Sequence, residues 1–144
     1  MSWDVTLFRF DRVYQSLEEM ADCTGPVPMG TQAMVRAAID EVFPGTRWEA
    51  PQDYGLWASW RCPDGSIEFD IGDDEEQVTS VGLHVRAGDA VVVGIIALGE
   101  RLGCQVLDYS TGEFLTAASP DPARGLRGWR EYRDRVMAGL NAAG

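Results

Sequence analysis

The sequence has no long hydrophobic run. Its longest apolar stretch covers residues 90–98 of 144, about half of the 18 or more residues that a membrane-spanning helix requires. Residues 1–10 alternate between polar and apolar side chains and lack the basic region followed by an apolar run that marks a signal peptide. From both absences we expect a cytoplasmic protein that does not contact a membrane.

Cysteine and histidine are scarce. Cys23, Cys62 and Cys104 form an odd count, without CxxC spacing and without a neighbouring histidine. This pattern argues against a disulfide framework and against a zinc site. We therefore expect three reduced thiols, with Cys104 buried at the start of a strand, and a fold that forms without a metal or another cofactor.

Basic residues are also few. Twelve of them oppose 23 aspartates and glutamates, which gives a formal net charge of −11 at pH 7. Such a charge repels the phosphate backbone of nucleic acids and the surface of anionic membranes. The same charge attracts basic proteins, so we expect a basic protein partner and no nucleic acid.

The overall composition is that of an ordinary globular domain. Hydrophobic residues make up 45% of the chain and charged residues 24%, which excludes disordered and fibrous classes. A chain of this length buries roughly 70% of its unfolded surface, enough for a two-layer core. We therefore predict a single domain over residues 1–144.

Residues 65–86 have the clearest local pattern in the chain. Two apolar sets recur at a spacing of two residues, as in half-buried strands: Ile67, Phe69 and Ile71, then Val81, Leu83 and Val85. Matching these apolar faces across the intervening turn allows only registers of the same parity. Glu68 therefore lies opposite His84, or one diagonal step away, on a polar face.

The remaining patterns predict a β-α-β-β-β-α-β-α order. The elements are a strand over residues 2–10, a helix capped by Thr31 and stopped by Pro44, a strand over residues 55–61, the two strands above, a helix over residues 90–102 capped by Asp89 with Gly103 after its end, a strand over residues 105–109, and a helix from Leu126 or Trp129 to Leu140. Residues 48–54 are expected to be irregular and residues 117–128 to form a linker.

This order defines an α+β fold. We expect a two-layer sandwich with a mostly antiparallel sheet, and a ferredoxin-like variant with an inserted strand is the first topology to consider. The first strand is apolar on both sides and is therefore expected to be central. The polar sheet face is left either open or covered by the C-terminal helix.

The polar face carries the candidate functional residues Glu68, Asp70, His84 and Arg86. An imidazole beside a carboxylate can exchange protons near neutral pH, so Glu68 and His84 suit a small hydrolase or another acid/base enzyme. No serine on this face lies in a GxSxG context that would make it a nucleophile. Cross-strand ion pairs on solvated sheets are common, so we favour a binding surface without catalytic residues and keep the enzyme as the alternative.

Acidic residues are concentrated in the turn that follows Asp70, namely Asp73, Asp74, Glu75 and Glu76. Several carboxylates suit calcium, but the spacing lacks the alternating aspartates and the distant glutamate of a calcium loop. We therefore predict no metal site. The carboxylates of such a solvated turn repel one another, and a cluster of lysines or arginines on a partner would relieve that repulsion.

Trp57 and Trp60 lie in one predicted strand. Alternation places them on opposite faces, so one of the two is expected on the polar side. Most tryptophans are buried in the core, but an exposed tryptophan beside acids has the composition of a binding hot spot. We include Trp57 in the predicted binding surface.

Four segments resemble, in this order, a group of small acidic bacterial proteins of unknown function. They lie between residues 45 and 136 and read PGTRWEAPQDYGLWASW, GSIEFDIGDDEEQVTSVGLHVR, LGERLGCQVLDYSTGEFL and GWREYRDRV. In size, acidity and α+β character this group is similar to the immunity proteins that neutralise bacterial toxins. The resemblance brings no catalytic residues with it.

The sequence thus predicts a non-enzymatic protein-binding module, with neutralisation of a basic toxin as its most concrete form. A binding module should present a broad acidic surface, whereas the enzyme alternative needs a concave pocket around His84. A third possibility is a homodimer subunit with a scaffolding role, whose sheet face or final helix would be buried against a second copy. The oligomeric state, monomer or homodimer, stays open at this stage.

Overall fold

The computed structural model describes residues 1–143, in which a seven-stranded sheet and three α-helices form two layers. The strands are β1 (Trp3–Phe8), β2 (Arg47–Trp48), β3 (Trp57–Cys62), β4 (Gly65–Asp70), β5 (Val81–Arg86), β6 (Gln105–Asp108) and β7 (Glu113–Leu115). The helices are α1 (Gln32–Val42), α2 (Val91–Leu102) and α3 (Arg124–Ala143), and a short 3-10 helix covers Glu18–Asp22. The predicted α+β sandwich is confirmed.

All neighbouring strands are antiparallel, in the order β2-β3-β4-β5-β1-β6-β7. β1 lies between β5 and β6, so the prediction that the first strand is central is confirmed. The elements β1, α1, β4, β5, α2 and β6 follow the β-α-β-β-α-β order of the ferredoxin-like fold. β2 and β3 extend this core at one edge, and β7 extends it at the other.

The core lies between the sheet and the helices α1 and α2. Alternate side chains of β4 and β5 point into it, and Ile67, Phe69 and Leu83 are fully buried. On the helix side, Val35, Ala38 and Ile39 of α1 and the apolar positions of α2 complete the cluster. Trp60 points into the same layer, where its ring lies 5.0 Å from that of Phe43.

The start of α1 and the end of α2 follow local sequence signals, whereas the start of α2 does not. The Thr31 hydroxyl accepts a hydrogen bond from the Met34 backbone N–H at 3.2 Å, and Gly103 has the left-handed φ of 66° suited to a helix end. The prediction that Asp89 caps α2 is wrong, because Ala90 occupies the cap position. The Asp89 carboxylate instead lies 2.5 Å from Arg130 of α3.

The start of α3 also differs from the prediction. The helix begins at Arg124, inside the segment predicted to be a linker. Two ion pairs hold its first turn, one between Arg124 and Glu113 at 2.8 Å and one between Arg127 and Asp121. The hydrogen bond from Arg127 also lowers the pKa of the Asp121 carboxyl. The start of α3 is therefore held by Asp121, three residues before the helix, and by Glu113 of β7.

The edge strand β2 overlaps the segment predicted to be irregular, residues 48–54, at Trp48. Arg47 and Trp48 pair with β3, and the Trp48 indole donates a hydrogen bond to the Asp40 carboxylate at 2.8 Å. A strand of two residues has no periodic pattern to find in a sequence. The hydrogen bond between Trp48 and Asp40 of α1 holds the β2 strand in place.

Cys104 provides a test of the packing between β6 and the loop before α1. Burial raises the pKa of its thiol to about 11, and its Sγ lies 3.7 Å from the sulfur of Met29. A raised pKa leaves a smaller fraction of Cys104 as the reactive thiolate at pH 8. A more basic thiolate is also a better nucleophile, which offsets part of this loss. We therefore expect alkylation of Cys104 to be about tenfold slower in the folded chain than in urea.

The measurement uses a chain in which Cys23 and Cys62 are replaced by serine, with alkylation followed by mass spectrometry. The folded rate should rise steeply as the pH approaches 11, because the folded thiol ionises only there. Equal rates in the folded and unfolded chains at pH 8 would show that Cys104 is not protected.

Candidate functional site

Over β3, β4, β5 and β1, one face of the sheet carries no α-helix within residues 1–143, whereas the segment around Tyr14 covers the β6 and β7 end of that face. We call this surface the open face, and the side chains that form its central part are those of Asp4, Thr6, Trp57, Ser59, Arg61, Ser66, Glu68, Asp70, His84 and Arg86. All of them are partly or largely exposed. α3 starts on the opposite side of the sheet, next to the buried Trp3, so the polar face is open and not covered by the C-terminal helix.

His84 lies at the centre of this face. It is directly opposite Glu68 on β4, which confirms the predicted register, and directly opposite Asp4 on β1. The imidazole turns toward β1, where its Nδ1 lies 3.0 Å from Asp4 Oδ1. The Glu68 carboxylate faces Arg86 instead, at 3.5 Å. An ion pair between Glu68 and His84 is therefore not formed, because each residue has another partner on a neighbouring position.

Trp57 forms an aromatic platform over the same residues. Its ring is parallel to the His84 imidazole, with an interplanar angle of 5° and 5.5 Å between the ring centroids. Tyr54 meets the tryptophan edge-on at 6.0 Å. Within the described chain the buried Trp57 Nε1 makes no hydrogen bond. Trp57 is thus held in place by stacking, and Trp60 points to the opposite face, as the alternation predicts.

The acidic turn lies at one end of the sheet and not on the open face itself. We call it the acidic loop, comprising Asp73, Asp74, Glu75 and Glu76, and all four side chains are exposed. Its backbone is tied to the start of α1, because the Gln32 N–H donates to the Glu75 carbonyl at 2.9 Å. Asp74 Oδ1 accepts two backbone N–H bonds, from Glu76 and Gln77, at 3.0 Å each.

The structure therefore divides the predicted site residues into two groups. Trp57, Glu68, Asp70, His84 and Arg86 share the open face, and the acidic loop follows Asp70 along the chain, with Glu75 and Glu76 beside the start of α1. Asp70 connects the two, since its Oδ1 accepts a hydrogen bond from the Gly72 N–H at 3.1 Å. Over residues 1–143 no three His, Cys, Asp or Glu side chains are grouped closely enough to hold a metal ion.

Neither His84 nor Glu68 lines any of the five main grooves in the described part of the chain. The largest of these five grooves has a volume of about 760 Å³ and lies between the start of β1, the β6–β7 turn and α3. Its only residue from the open face is Asp4.

A buried carboxyl group beneath this groove was not predicted from the sequence. Asp108 is fully buried, and its Oδ1 accepts hydrogen bonds from Trp3 Nε1 at 3.0 Å and from the backbone and hydroxyl of Ser110 at 2.9 and 2.7 Å. Its Oδ2 lies beside Gly125 in the first turn of α3, where the positive end of the helix dipole favours an acid. The Asp-x-Ser spacing was the available signal, because aspartate often bonds the backbone two residues onward.

Comparison with known proteins does not identify the chain. No protein-family model matches it, and a search of curated proteins finds no match. In residues 1–143 no helix has both the length and the apolar character needed to cross a membrane. The functional argument therefore depends on the geometry of the open face and its border.

Proposed function

We propose that this chain is a non-enzymatic protein-binding module whose open face receives a basic protein. The observation that carries the proposal is the Trp57 platform. A partly exposed tryptophan, stacked on His84 and bordered by Asp4, Glu68 and Asp70, combines a rigid apolar contact with surrounding negative charge. Such a combination is typical of interface hot spots.

The charge distribution supports a basic partner. The acidic loop adds four exposed carboxylates at the end of the sheet that follows Asp70, and the chain as a whole carries −11. Opposite charges raise the rate at which two proteins meet and orient them before contact. Neutralisation of a basic toxin in the cytoplasm, as an immunity protein, is the most concrete form of this role.

The acid/base enzyme is less well supported. His84 has Asp4 as an orienting partner, as a general base would, but its ring is stacked under Trp57. Glu68 is engaged with Arg86. A reacting substrate usually needs a concave site that excludes water, and the main grooves lie elsewhere.

The first experiment is affinity capture from a lysate of the native cell at low and high salt, with the retained proteins identified. We expect a basic protein to be retained at low salt and weakened at high salt, since salt screens exposed charges. Recovery of only acidic proteins, or of none at either salt, would contradict the proposal.

Charge reversal in the acidic loop tests the electrostatic part. We expect the variant D73K/E75K/E76K to keep its fold while its association with the captured partner slows about tenfold at low salt and loses most of its salt dependence. Asp74 is left unchanged because it holds the loop through two backbone hydrogen bonds. Stopped-flow association at several ionic strengths is the measurement.

The matched control carries the same change of net charge on other surfaces. In the variant E18K/D22K/E100K all three exposed acids lie outside the open face and the acidic loop. If the acidic loop faces the partner, this control should slow association far less than the loop variant. Equal slowing in both variants would remove the loop from the interface and leave only the overall charge.

A further inference from the structure

Gly82 leaves a gap in the middle of the open face. It lies on β5 between Asp70 of β4 and Thr6 of β1, which are its direct partners on the two neighbouring strands. A Cβ added at Gly82 would meet only atoms of Asp70 within 4 Å, at 3.8 and 3.9 Å. His84 is the next residue on the same face of β5. We call the space above Gly82, bounded by these three side chains, the Gly82 notch.

Two aromatic rings lie next to the notch. Trp57 of β3 is directly opposite Asp70, whereas its stacking partner His84 belongs to β5, two strands away. Neighbouring strands are about 4.8 Å apart, so a separation of 5.5 Å between the ring centroids requires the two rings to lean toward each other over β4. The aromatic pair is therefore held beside the Asp70 carboxylate.

Asp70 differs from the other acids in the central part of the open face. Asp4 lies 3.0 Å from the imidazole, and Glu68 lies 3.5 Å from Arg86. In the described part of the chain Asp70 has no such cationic partner, and its Oδ1 accepts one hydrogen bond, from the Gly72 N–H. The notch thus combines an uncompensated carboxylate, an aromatic pair and open space.

We propose that the Gly82 notch receives an arginine side chain of the basic partner, whose guanidinium donates to the Asp70 carboxylate and packs against the Trp57–His84 pair. This inference rests on the proposed function, since the arginine belongs to the protein that the open face binds. A planar guanidinium can bond a carboxylate through two N–H groups and also lie against an aromatic ring. Arginine is also one of the residues enriched in interface hot spots.

Lysine satisfies the notch less well than arginine. Its ammonium group is compact and strongly hydrated, and it lacks the flat surface that packs against an aromatic ring. The bond between Asp70 and Gly72 does not compete with a guanidinium, because an ionised carboxylate has about four sites that accept hydrogen bonds. The notch therefore favours arginine over lysine.

Charge along the strands gives the docking one direction. Arg61 and Arg86 flank Ser66 in one row of the open face, whereas Asp70 and Gly82 belong to another row. The rows are four residues apart along β4, which is roughly 13 Å. An incoming arginine is repelled by the first row and attracted by the second, so the partner should dock with its arginine at the Asp70 end.

The test uses a small probe, the acetylated amide of arginine, titrated into the full chain. The Gly82 amide and the Trp57 indole are followed in the proton–nitrogen NMR spectrum. We expect both signals to shift with a dissociation constant in the millimolar range, because the probe makes only one charged and one aromatic contact. The lysine amide should bind about fivefold more weakly. The citrulline amide has a similar shape without the charge and should shift neither signal.

Two variants remove the notch in different ways. Asp70→Asn removes the charge while its Oδ1 can still accept the Gly72 N–H, and Gly82→Val fills the gap with a residue suited to a strand. Each should lower the affinity for the arginine probe at least fivefold while keeping the wild-type circular dichroism spectrum. The matched control Asp73→Asn removes the same charge from the exposed acidic loop and should bind the probe like the wild type.

Three outcomes overturn the proposal. The arginine probe shifts neither signal at concentrations up to about 50 mM, well above a millimolar dissociation constant; or the arginine and citrulline probes act alike; or Asp70→Asn and Asp73→Asn lose the same affinity.

The captured partner separates this proposal from the proposed function. If Trp57→Ala weakens that partner while Asp70→Asn and Gly82→Val do not, the open face binds it without an arginine in the notch, and the notch proposal is wrong. If no basic partner is captured, the proposed function fails, whereas selective shifts with the arginine probe still support the notch as a guanidinium site.

Discussion

Replacement of Gly125 by alanine should lower the free energy of unfolding by about 3 kcal/mol, the upper part of the range for overpacked sites. An alanine Cβ would lie 2.2 Å from Asp108 Oδ2, 2.5 Å from the Ser110 hydroxyl and 2.8 Å from Trp3 Nε1. Trp3 and Ser110 both donate hydrogen bonds to Asp108, and Trp3 and Asp108 are buried, so neither of these two can move without breaking a bond. The start of α3 would have to shift away from the sheet.

Gly128, one turn later in the same helix, is the matched control. Because its Cβ would meet open space, Gly128→Ala should raise the stability by about 0.5–1 kcal/mol through helix propensity alone. Urea unfolding followed by tryptophan fluorescence measures both changes. Similar changes for the two glycines would show that the Asp108 contact does not constrain α3.

Replacement of Trp57 by alanine should weaken binding of the captured basic partner at least 30-fold, or about 2 kcal/mol, the threshold of an interface hot spot. The loss has two sources. The indole supplies the largest apolar area on the open face, and its removal also frees the His84 imidazole that stacks on it. Isothermal titration calorimetry gives the affinity, and a thermal melt checks that the variant folds.

Two further variants separate these effects. Trp57→Phe keeps an aromatic ring over His84 and should recover most of the affinity. Trp48→Ala removes a partly buried tryptophan that points toward the helices, and it should leave the affinity unchanged whatever it does to stability. If Trp57→Ala leaves the affinity unchanged, the partner binds another surface and the proposal that the open face binds it is wrong.

The residues around His84 show what the alternation of apolar residues can predict and what it cannot. The apolar residues of β4 and β5 allow a single parity, so the sequence places Glu68 and His84 on one face, directly opposite or one diagonal step apart. The actual partner of His84 could not be inferred in the same way. Asp4 comes from β1, and only the complete sheet order brings that distant strand to the other side of β5.

The start of α3 differs from the prediction for a related reason. The segment before Trp129 is rich in small residues, proline and glycine, which locally favours a linker. Its helical start depends on Asp108, Glu113 and Asp121, which are supplied by β6, β7 and the loop after them. Local propensity describes a segment well when its own residues decide its conformation, and poorly when its neighbours do.

The central position of β1 has a consequence for synthesis on the ribosome. Leu7 pairs with Val81 on one side and with Val106 on the other. β1 is synthesised first and can pair only after β5 and β6 have been synthesised. At about 5–20 residues per second, several seconds separate the appearance of Leu7 from that of Val81. Throughout that interval Trp3, Val5 and Leu7 are without their native cover, which makes the nascent chain a natural client of a chaperone near the exit tunnel.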